Sequence, residues 1–416
     1  MEGSLLVERV LEGVKVLEVS AWAFVPSAGA VLADWGADVV KIEPPTGDPL
    51  RGLVNAGIGG GSGPSFPWEA WNRGKRSVAL DLKHPRAREI LLKAAETADV
   101  FLTSYLPPTR RQLGIDIDDI RAVNPSIVYA SGTGQGALGD EAEKGGYDSI
   151  SFWARGGVGA TVTPPGAQRP IGQPAGAFGD SLSGMALAGG VAAALFRRAR
   201  TGEGAVVDVA LLGTAMWCLQ MPIVGAAVMM AQPPAGDSDP PNSRSANPQI
   251  FNPLVNNYQT SDGRWLSLCM LQRDRYWDEV LVAVGREDLR DDPRFNTPEA
   301  LGAHNDEAIA ELERTFAGMS LDQARTALGT QSGQWDVMQN VLELPADPQA
   351  VTNGFVQPVE YDSVTLPLIS SPAQFDRIPN PLGRAPEFGA DTDDVLAELG
   401  LDSDEVMQAK IDGAVQ

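Results

Sequence analysis

One carboxylate lies in a stretch that is otherwise built from small and apolar residues. Asp180 lies between Gly179 and Gly184, at the predicted start of a helix rich in Ala, Gly and Leu. A carboxylate there accepts hydrogen bonds from free backbone N–H groups and feels the positive end of the helix dipole, so we expect it to stay ionised. Capping alone accounts for such an aspartate. A nucleophile needs the same exposure, with N–H donors for an oxyanion.

Other familiar catalytic patterns are absent from the sequence. The two histidines, His84 and His304, lie in polar stretches, which argues against a catalytic triad or a histidine metal site. The first βα turn has no glycine fingerprint for a dinucleotide. It carries Trp22 and Phe24 instead, which are either core residues or the lining of an acyl or pantetheine channel. Asp148 is a second candidate carboxylate.

Composition limits the class of protein and its partners. A chain of 416 residues predicts two domains, and a net charge of −22 argues against nucleic acid. Six of the seven lysines precede residue 150, so an anionic ligand is expected on the N-terminal part. Cys218 and Cys269 form no spacing motif and predict buried, reduced thiols. With neither a leader nor a membrane-length apolar run expected, we predict a cytoplasmic protein without a membrane partner.

The elements that must position these residues follow a βαβ pattern. Short apolar strands alternate with helices up to about residue 211, which predicts a doubly wound parallel sheet. A glycine-rich loop is expected at 52–67, a linker at 229–253 and a hairpin at 258–268. We predict a first part of a large domain at 1–225, a linker and small α+β domain at 226–330, and a return linker with the rest of the large domain at 331–416.

Several segments, in order along the chain, resemble family III CoA-transferases, which include formyl-CoA transferase, carnitine and bile-acid CoA-transferases and α-methylacyl-CoA racemases. Each segment is weakly diagnostic alone, but the ordered set is specific. The resembling segments are 11–18, 32–45, 47–51, 72–83, 145–148, 179–180, 201–204 and 372–399.

The resemblance implies a fold and a reaction. The fold is α/β, with a Rossmann-like large domain, a smaller α+β domain and two subunits interlocked as rings in a homodimer. Asp180 matches the family aspartate, which attacks an acyl-CoA thioester and passes through an aspartyl–acyl anhydride and an aspartyl-CoA thioester. Coenzyme A enters as acyl-CoA substrate with a carboxylic acid acceptor, and no tightly bound cofactor or metal is implied.

The resemblance also implies residues that contact CoA. They lie in the first βα turn, after the second strand, around the third strand, after the fourth strand and before Asp148. In order they are Trp22, Ala23, Phe24, Lys41, Glu43, Arg73, Lys75, Ser104, Tyr105, Arg111, Gln112 and Tyr147.

Departures from the family pattern reduce the number of candidate reactions and substrates. The racemases have a histidine at Tyr147 and a glutamate at Gln272, so both proton-transfer groups are missing here. Formyl-CoA transferase has glutamine at Ala23. The apolar turn at Trp22 favours a hydrophobic acyl group over a small dicarboxylate. A CoA-transferase is the leading hypothesis. The alternatives are a racemase or epimerase, a CoA-thioester-binding protein without turnover and, distantly, a nicotinamide oxidoreductase.

Overall fold

The computed structural model describes residues 9–53, 64–231, 252–362 and 364–416. Most of the predicted loop at 52–67 and of the predicted linker at 229–253 lies outside them. The chain divides into a large unit, 1–163 with 168–234 and 347–416, and a small unit, 164–167 with 235–346. The chain re-enters the large unit at Asp347, inside the segment 331–416 predicted as the return linker and the rest of the large domain.

A six-stranded parallel sheet forms the centre of the large unit. Its strand order is β3-β2-β1-β4-β5-β6, and every neighbouring pair is parallel. This is the order of a doubly wound, Rossmann-like sheet, so the predicted α/β fold is confirmed. The strands are β1 (Lys15–Val19), β2 (Asp38–Glu43), β3 (Arg76–Ala79), β4 (Val100–Thr103), β5 (Val128–Thr133) and β6 (Val206–Ala210).

Helices cover both faces of this sheet because its strands carry apolar side chains on both sides. One core contains Phe101 and Tyr129 with Leu91 and Leu396, and the other contains Val16 and Leu102 with Leu32 and Leu187. The helices of the large unit are α1 (Phe24–Asp34), α2 (Phe66–Asn72), α3 (Pro85–Thr97), α4 (Pro107–Leu113), α5 (Ile117–Val123), α6 (Val158–Val162), α7 (Phe178–Thr201), α8 (Leu211–Cys218) and α9 (Gln220–Ala231).

The small unit is α+β, as the hairpin and helices in its sequence predict. The antiparallel strands β7 (Val255–Gln259), β8 (Trp265–Cys269) and β9 (Trp335–Val337) pack against helices around Tyr258 and Trp277. The helices are α10 (Arg273–Ala283), α11 (Pro298–Ala303), α12 (Asn305–Ala317) and α13 (Leu321–Leu328). Back in the large unit follow α14 (Pro348–Thr352), the hairpin β10 (Val356–Glu360) and β11 (Thr365–Ile369), α15 (Thr392–Glu398) and α16 (Ser403–Ile411).

Helix α7 is long and apolar, and it packs against α1 and the sheet. Within the described part of the chain it is the single helix long and apolar enough to cross a membrane, and the bent pair α8 and α9 reaches that limit when joined. Leu187, Ala188 and Val191 of α7 are fully buried in the core. They form the face of α7 that packs on the core, and 39% of the apolar stretch of the helix is buried.

The close approach of α1 and α7 depends on a glycine. A Cβ on Gly184 would overlap Ser27 Oγ and lie 2.8 Å from the Phe24 carbonyl oxygen, both on α1. We expect Gly184→Ala to lower the free energy of unfolding by about 1–3 kcal/mol, because the two helices must separate. Gly189→Ala on the same helix is the matched control. Nothing lies within 4 Å of its new Cβ, so it should stabilise by about 0.5–1 kcal/mol. Urea unfolding measures both, and equal effects would contradict the packing argument.

The two cysteines do not match their predicted burial. Cys218 and Cys269 are free and exposed. Cys218 ends α8, whose neighbouring Trp217 is also exposed, and Cys269 ends β8 on the outer side of its sheet. Apolar sequence around a cysteine is therefore an unreliable sign of a buried thiol in this chain.

Candidate active site

The candidate site lies at the carboxyl ends of the strands, where the strand order reverses between β1 and β4. Ligands of doubly wound sheets bind in this crevice. The loops that follow the two strands are joined there: Ala21 N donates to Ser104 Oγ at 3.0 Å, and Ser104 Oγ donates to Ala21 O at 3.3 Å. The structure therefore brings the aromatic turn after β1 together with the loop after β4.

An aromatic pair lies at this edge. The Trp22 ring meets the Tyr147 ring edge-on, with centroids 5.9 Å apart and an interplanar angle of 89°. Their side chains are 38% and 58% exposed, respectively. Large aromatic surfaces that stay in contact with water near a crevice are available to an apolar ligand.

The start of α7 is capped by Asp148, which corrects the prediction for Asp180. The N-cap residue is Ala177, and Asp180 lies inside the first turn with no capping bond from its side chain. Asp148 Oδ1 accepts from Gly179 N at 3.1 Å. A free N–H group of the kind that we expected to serve Asp180 is thus bonded to Asp148 instead.

The Asp180 carboxyl group is consequently harder to ionise than the sequence predicts. Burial, followed by repulsion from the Asp148 carboxylate, raises the pKa of Asp180 to about 7. Burial also raises the pKa of Asp148. The Asp180 side chain accepts no hydrogen bond from the residues that the structure describes. The carboxyl groups of Asp148 and Asp180 thus lie near each other in a partly desolvated environment, an arrangement typical of reactive sites.

Two contacts around Asp180 were not expected from the sequence. Ser27 Oγ of α1 lies 3.3 Å from the Asp180 carbonyl oxygen, and Trp71 Nε1 of α2 lies 3.3 Å from Ser181 Oγ. These contacts attach α1 and α2 to the first turn of α7. Neither Ser27 nor Trp71 belongs to a recognisable motif, and a local pattern contains no sign of either contact.

Four of the residues predicted to contact CoA have buried side chains. Lys41 and Lys75 contact Glu18 at 3.0 and 2.8 Å, with every side chain fully buried. Glu43 is bonded to Arg51 at 2.7 Å. Arg73 is paired with Asp34 at 2.6 Å and is 7% exposed. The contact with CoA predicted for Lys41, Glu43, Arg73 and Lys75 stays a prediction, and the structure shows the charge of each paired with that of a neighbouring side chain. These charges compensate one another inside the fold.

The other predicted contacts divide between the core and the rim. Ala23 and Phe24 are buried at the start of α1. Tyr105 is half-buried, and burial raises its pKa. Arg111 is exposed and pairs with Glu143 at 2.7 Å, close in sequence to Tyr147. Gln112 is exposed next to it at the end of α4.

A parallel doubly wound sheet with a crevice at its carboxyl edge is typical of α/β enzymes. The chain belongs to CoA-transferase family III, whose family model matches residues 11–392. It is therefore a CoA-transferase.

Relatives and a solved structure match nearly the whole chain. The (R)-2-hydroxy-4-methylpentanoate CoA-transferase of Clostridioides difficile is 31% identical over 406 residues, covering 96% of this chain and 98% of that protein. The cinnamoyl-CoA:phenyllactate CoA-transferase of Clostridium sporogenes is 30% identical, with 97% of each covered. The crystal structure of a CAIB/BAIF family protein from Brucella suis matches with a TM-score of 0.77 and 26% identity, covering 94% of this chain and 100% of that one.

Proposed function

We propose that this enzyme moves CoA from an acyl-CoA to a free carboxylic acid with Asp180 as the nucleophile. The observation that carries the proposal is the half-buried Asp180 carboxylate, which receives no hydrogen bond within the described chain and lies beside a second carboxylate. A poorly solvated carboxylate is a stronger nucleophile than a hydrated one. Family membership supplies the acyl-CoA thioester as its electrophile.

The reaction proceeds by four transfers that return Asp180 to its starting form. An Asp180 oxygen attacks the thioester carbonyl, the C–S bond breaks, and CoA thiolate leaves an aspartyl–acyl anhydride. The thiolate then attacks the aspartyl carbonyl, releasing the donor acid and forming an aspartyl-CoA thioester. The acceptor carboxylate attacks that thioester, giving a second anhydride and CoA thiolate. The thiolate finally attacks the acceptor's acyl carbon, forming the new acyl-CoA and regenerating Asp180.

We propose an apolar acyl group as substrate, because Trp22 and Tyr147 present aromatic surface at the site. The names of the two relatives, which refer to a branched and to phenyl-bearing acids, are in keeping with this. We expect 4-methylpentanoate or 3-phenylpropanoate to exceed succinate and oxalate as acceptors by about tenfold or more in kcat/KM. Chromatography of the CoA thioesters formed from one donor and competing acceptors measures it. Preferred transfer to succinate or oxalate would contradict the apolar substrate.

The same assay separates transfer from racemisation. Omitting the acceptor acid should stop turnover, since the CoA group has no other destination. Deuterium uptake at Cα of the acyl-CoA without exchange of acids would indicate a racemase instead. The tyrosine at 147 offers no imidazole for such a proton transfer.

We further propose that the enzyme is a cytoplasmic, interlocked homodimer. The support for the homodimer is the apolar surface of α8 and α9, where Trp217, Met221 and Met230 are 71%, 83% and 87% exposed within one chain. A monomeric protein rarely leaves so much contiguous apolar surface in water. A second copy of the chain is the occupant that the proposed ring-like dimer provides.

A further inference from the structure

The turn after β1 has an unfavourable backbone. Trp22 has φ of 70°, in the left-handed region that residues with a Cβ rarely adopt. Such strain persists only where neighbouring groups impose it, and it is concentrated at functional positions.

Side chains from three other segments hold two successive peptides of this turn, Ser20–Ala21 and Ala21–Trp22. Lys41 Nζ donates to Ser20 O at 3.0 Å, and Ser104 Oγ bonds both the N–H and the carbonyl of Ala21. Asp48 Oδ1 accepts from Trp22 N at 3.2 Å. We call Lys41, Asp48 and Ser104 the turn clamp.

Buried charge makes the turn clamp rigid. Lys41 Nζ lies 3.0 Å from both Glu18 Oε1 and Asp48 Oδ2, and these side chains are at most 1% exposed. Lys75 contacts the other Glu18 oxygen at 2.8 Å, so two cations balance two carboxylates. Because removing one partner leaves a buried charge without compensation, each member holds the others in one geometry.

The turn clamp acts on a side chain that faces the site. The Trp22 indole is part-exposed and edge-on to Tyr147, the residue before Asp148, which in turn caps α7 beside Asp180. We propose that Asp48, with Lys41 and Ser104, is a positioning residue that fixes Trp22 against Tyr147 and so sets the enzyme's selection of apolar acyl groups. The proposal rests on the proposed function for its substrate class.

A double-mutant cycle tests it. The measured quantity is the ratio of kcat/KM for 3-phenylpropanoate to that for acetate, in Asp48→Ala, Trp22→Ala and the double variant. We expect Asp48→Ala and Trp22→Ala each to lower this ratio about tenfold, and the double variant to lower it no further. A ratio that Asp48→Ala leaves unchanged, or effects that multiply, would overturn the proposal.

A second readout does not depend on the reaction. In protein labelled with 5-fluorotryptophan, the Trp22 resonance is assigned with Trp22→Phe, and Asp48→Ala should shift or broaden it. An unchanged resonance overturns the positioning role, whatever the acceptor preference of the wild-type enzyme. A wild-type enzyme without an apolar preference contradicts only the proposed substrate class. Ser104→Ala, which leaves the buried charges intact, replaces Asp48→Ala if that variant does not fold. It should lower the ratio and move the resonance in the same direction.

Discussion

Replacing Asp180 with asparagine should lower the rate of CoA transfer on the order of 10⁴-fold or more, because the amide cannot form the anhydride. The side-chain volume is kept, so the contact between Ser27 Oγ and the backbone of residue 180 is preserved. The loss should therefore appear in kcat, with binding of acyl-CoA nearly unchanged. Steady-state kinetics with isothermal titration of a CoA thioester measures both quantities.

The covalent intermediate gives the direct test of the same residue. Wild-type enzyme incubated with acyl-CoA and quenched with hydroxylamine should carry a hydroxamate on Asp180, detectable by peptide mass spectrometry. The Asp180→Asn enzyme should carry none. Glu203→Gln, an exposed acid just after α7, is the matched control and should keep full activity and the modification. Full activity with an unmodified Asp180 would exclude it as the nucleophile.

The sheet was predictable because its signals are local. Strands buried on both faces are near-continuous apolar runs, and the helices between them have their own stops, such as Gly36 after α1. The alternation of the two elements then permits few topologies. The proposal of Asp180 as nucleophile also comes from the sequence, because Asp180 lies in a resembling segment.

The roles around Asp180 were not predictable, because they depend on residues far apart in the chain. Asp148 lies 31 positions before Gly179, whose N–H it accepts, so the sequence pattern assigned that N–H to the nearest acid. Likewise, Lys41 and Glu18 meet because β1 and β2 pair in a register that places them opposite each other. From the sequence alone, Lys41 predicts a site for an anionic ligand. The register of β1 and β2 instead pairs Lys41 with Glu18 inside the fold.

The pH dependence follows from Asp180 as the structure presents it. Only the ionised carboxylate attacks, and its pKa is raised to about 7. We expect kcat/KM for the acyl-CoA to fall about tenfold for each pH unit below 7, down to about pH 5.

The raised pKa also means that the folded state loses stability as pH rises from about 4 through 7. Asp180→Asn should therefore melt at a higher temperature than wild type at pH 8, with the difference shrinking as pH approaches 4.

The Asp148→Asn variant separates the two causes of the raised pKa. Its amide oxygen still accepts from Gly179 N, so the start of α7 is kept, while the like charge beside Asp180 is removed. The acid limb of the pH profile should move to lower pH. Most of the elevation should remain, because burial is the larger cause. Asp148→Ala is the comparison, since it also leaves the N–H groups of α7 unpaired and should lower the melting temperature. An acid limb that stays in place, or moves to higher pH, would show that Asp148 exerts no repulsion on the Asp180 carboxylate.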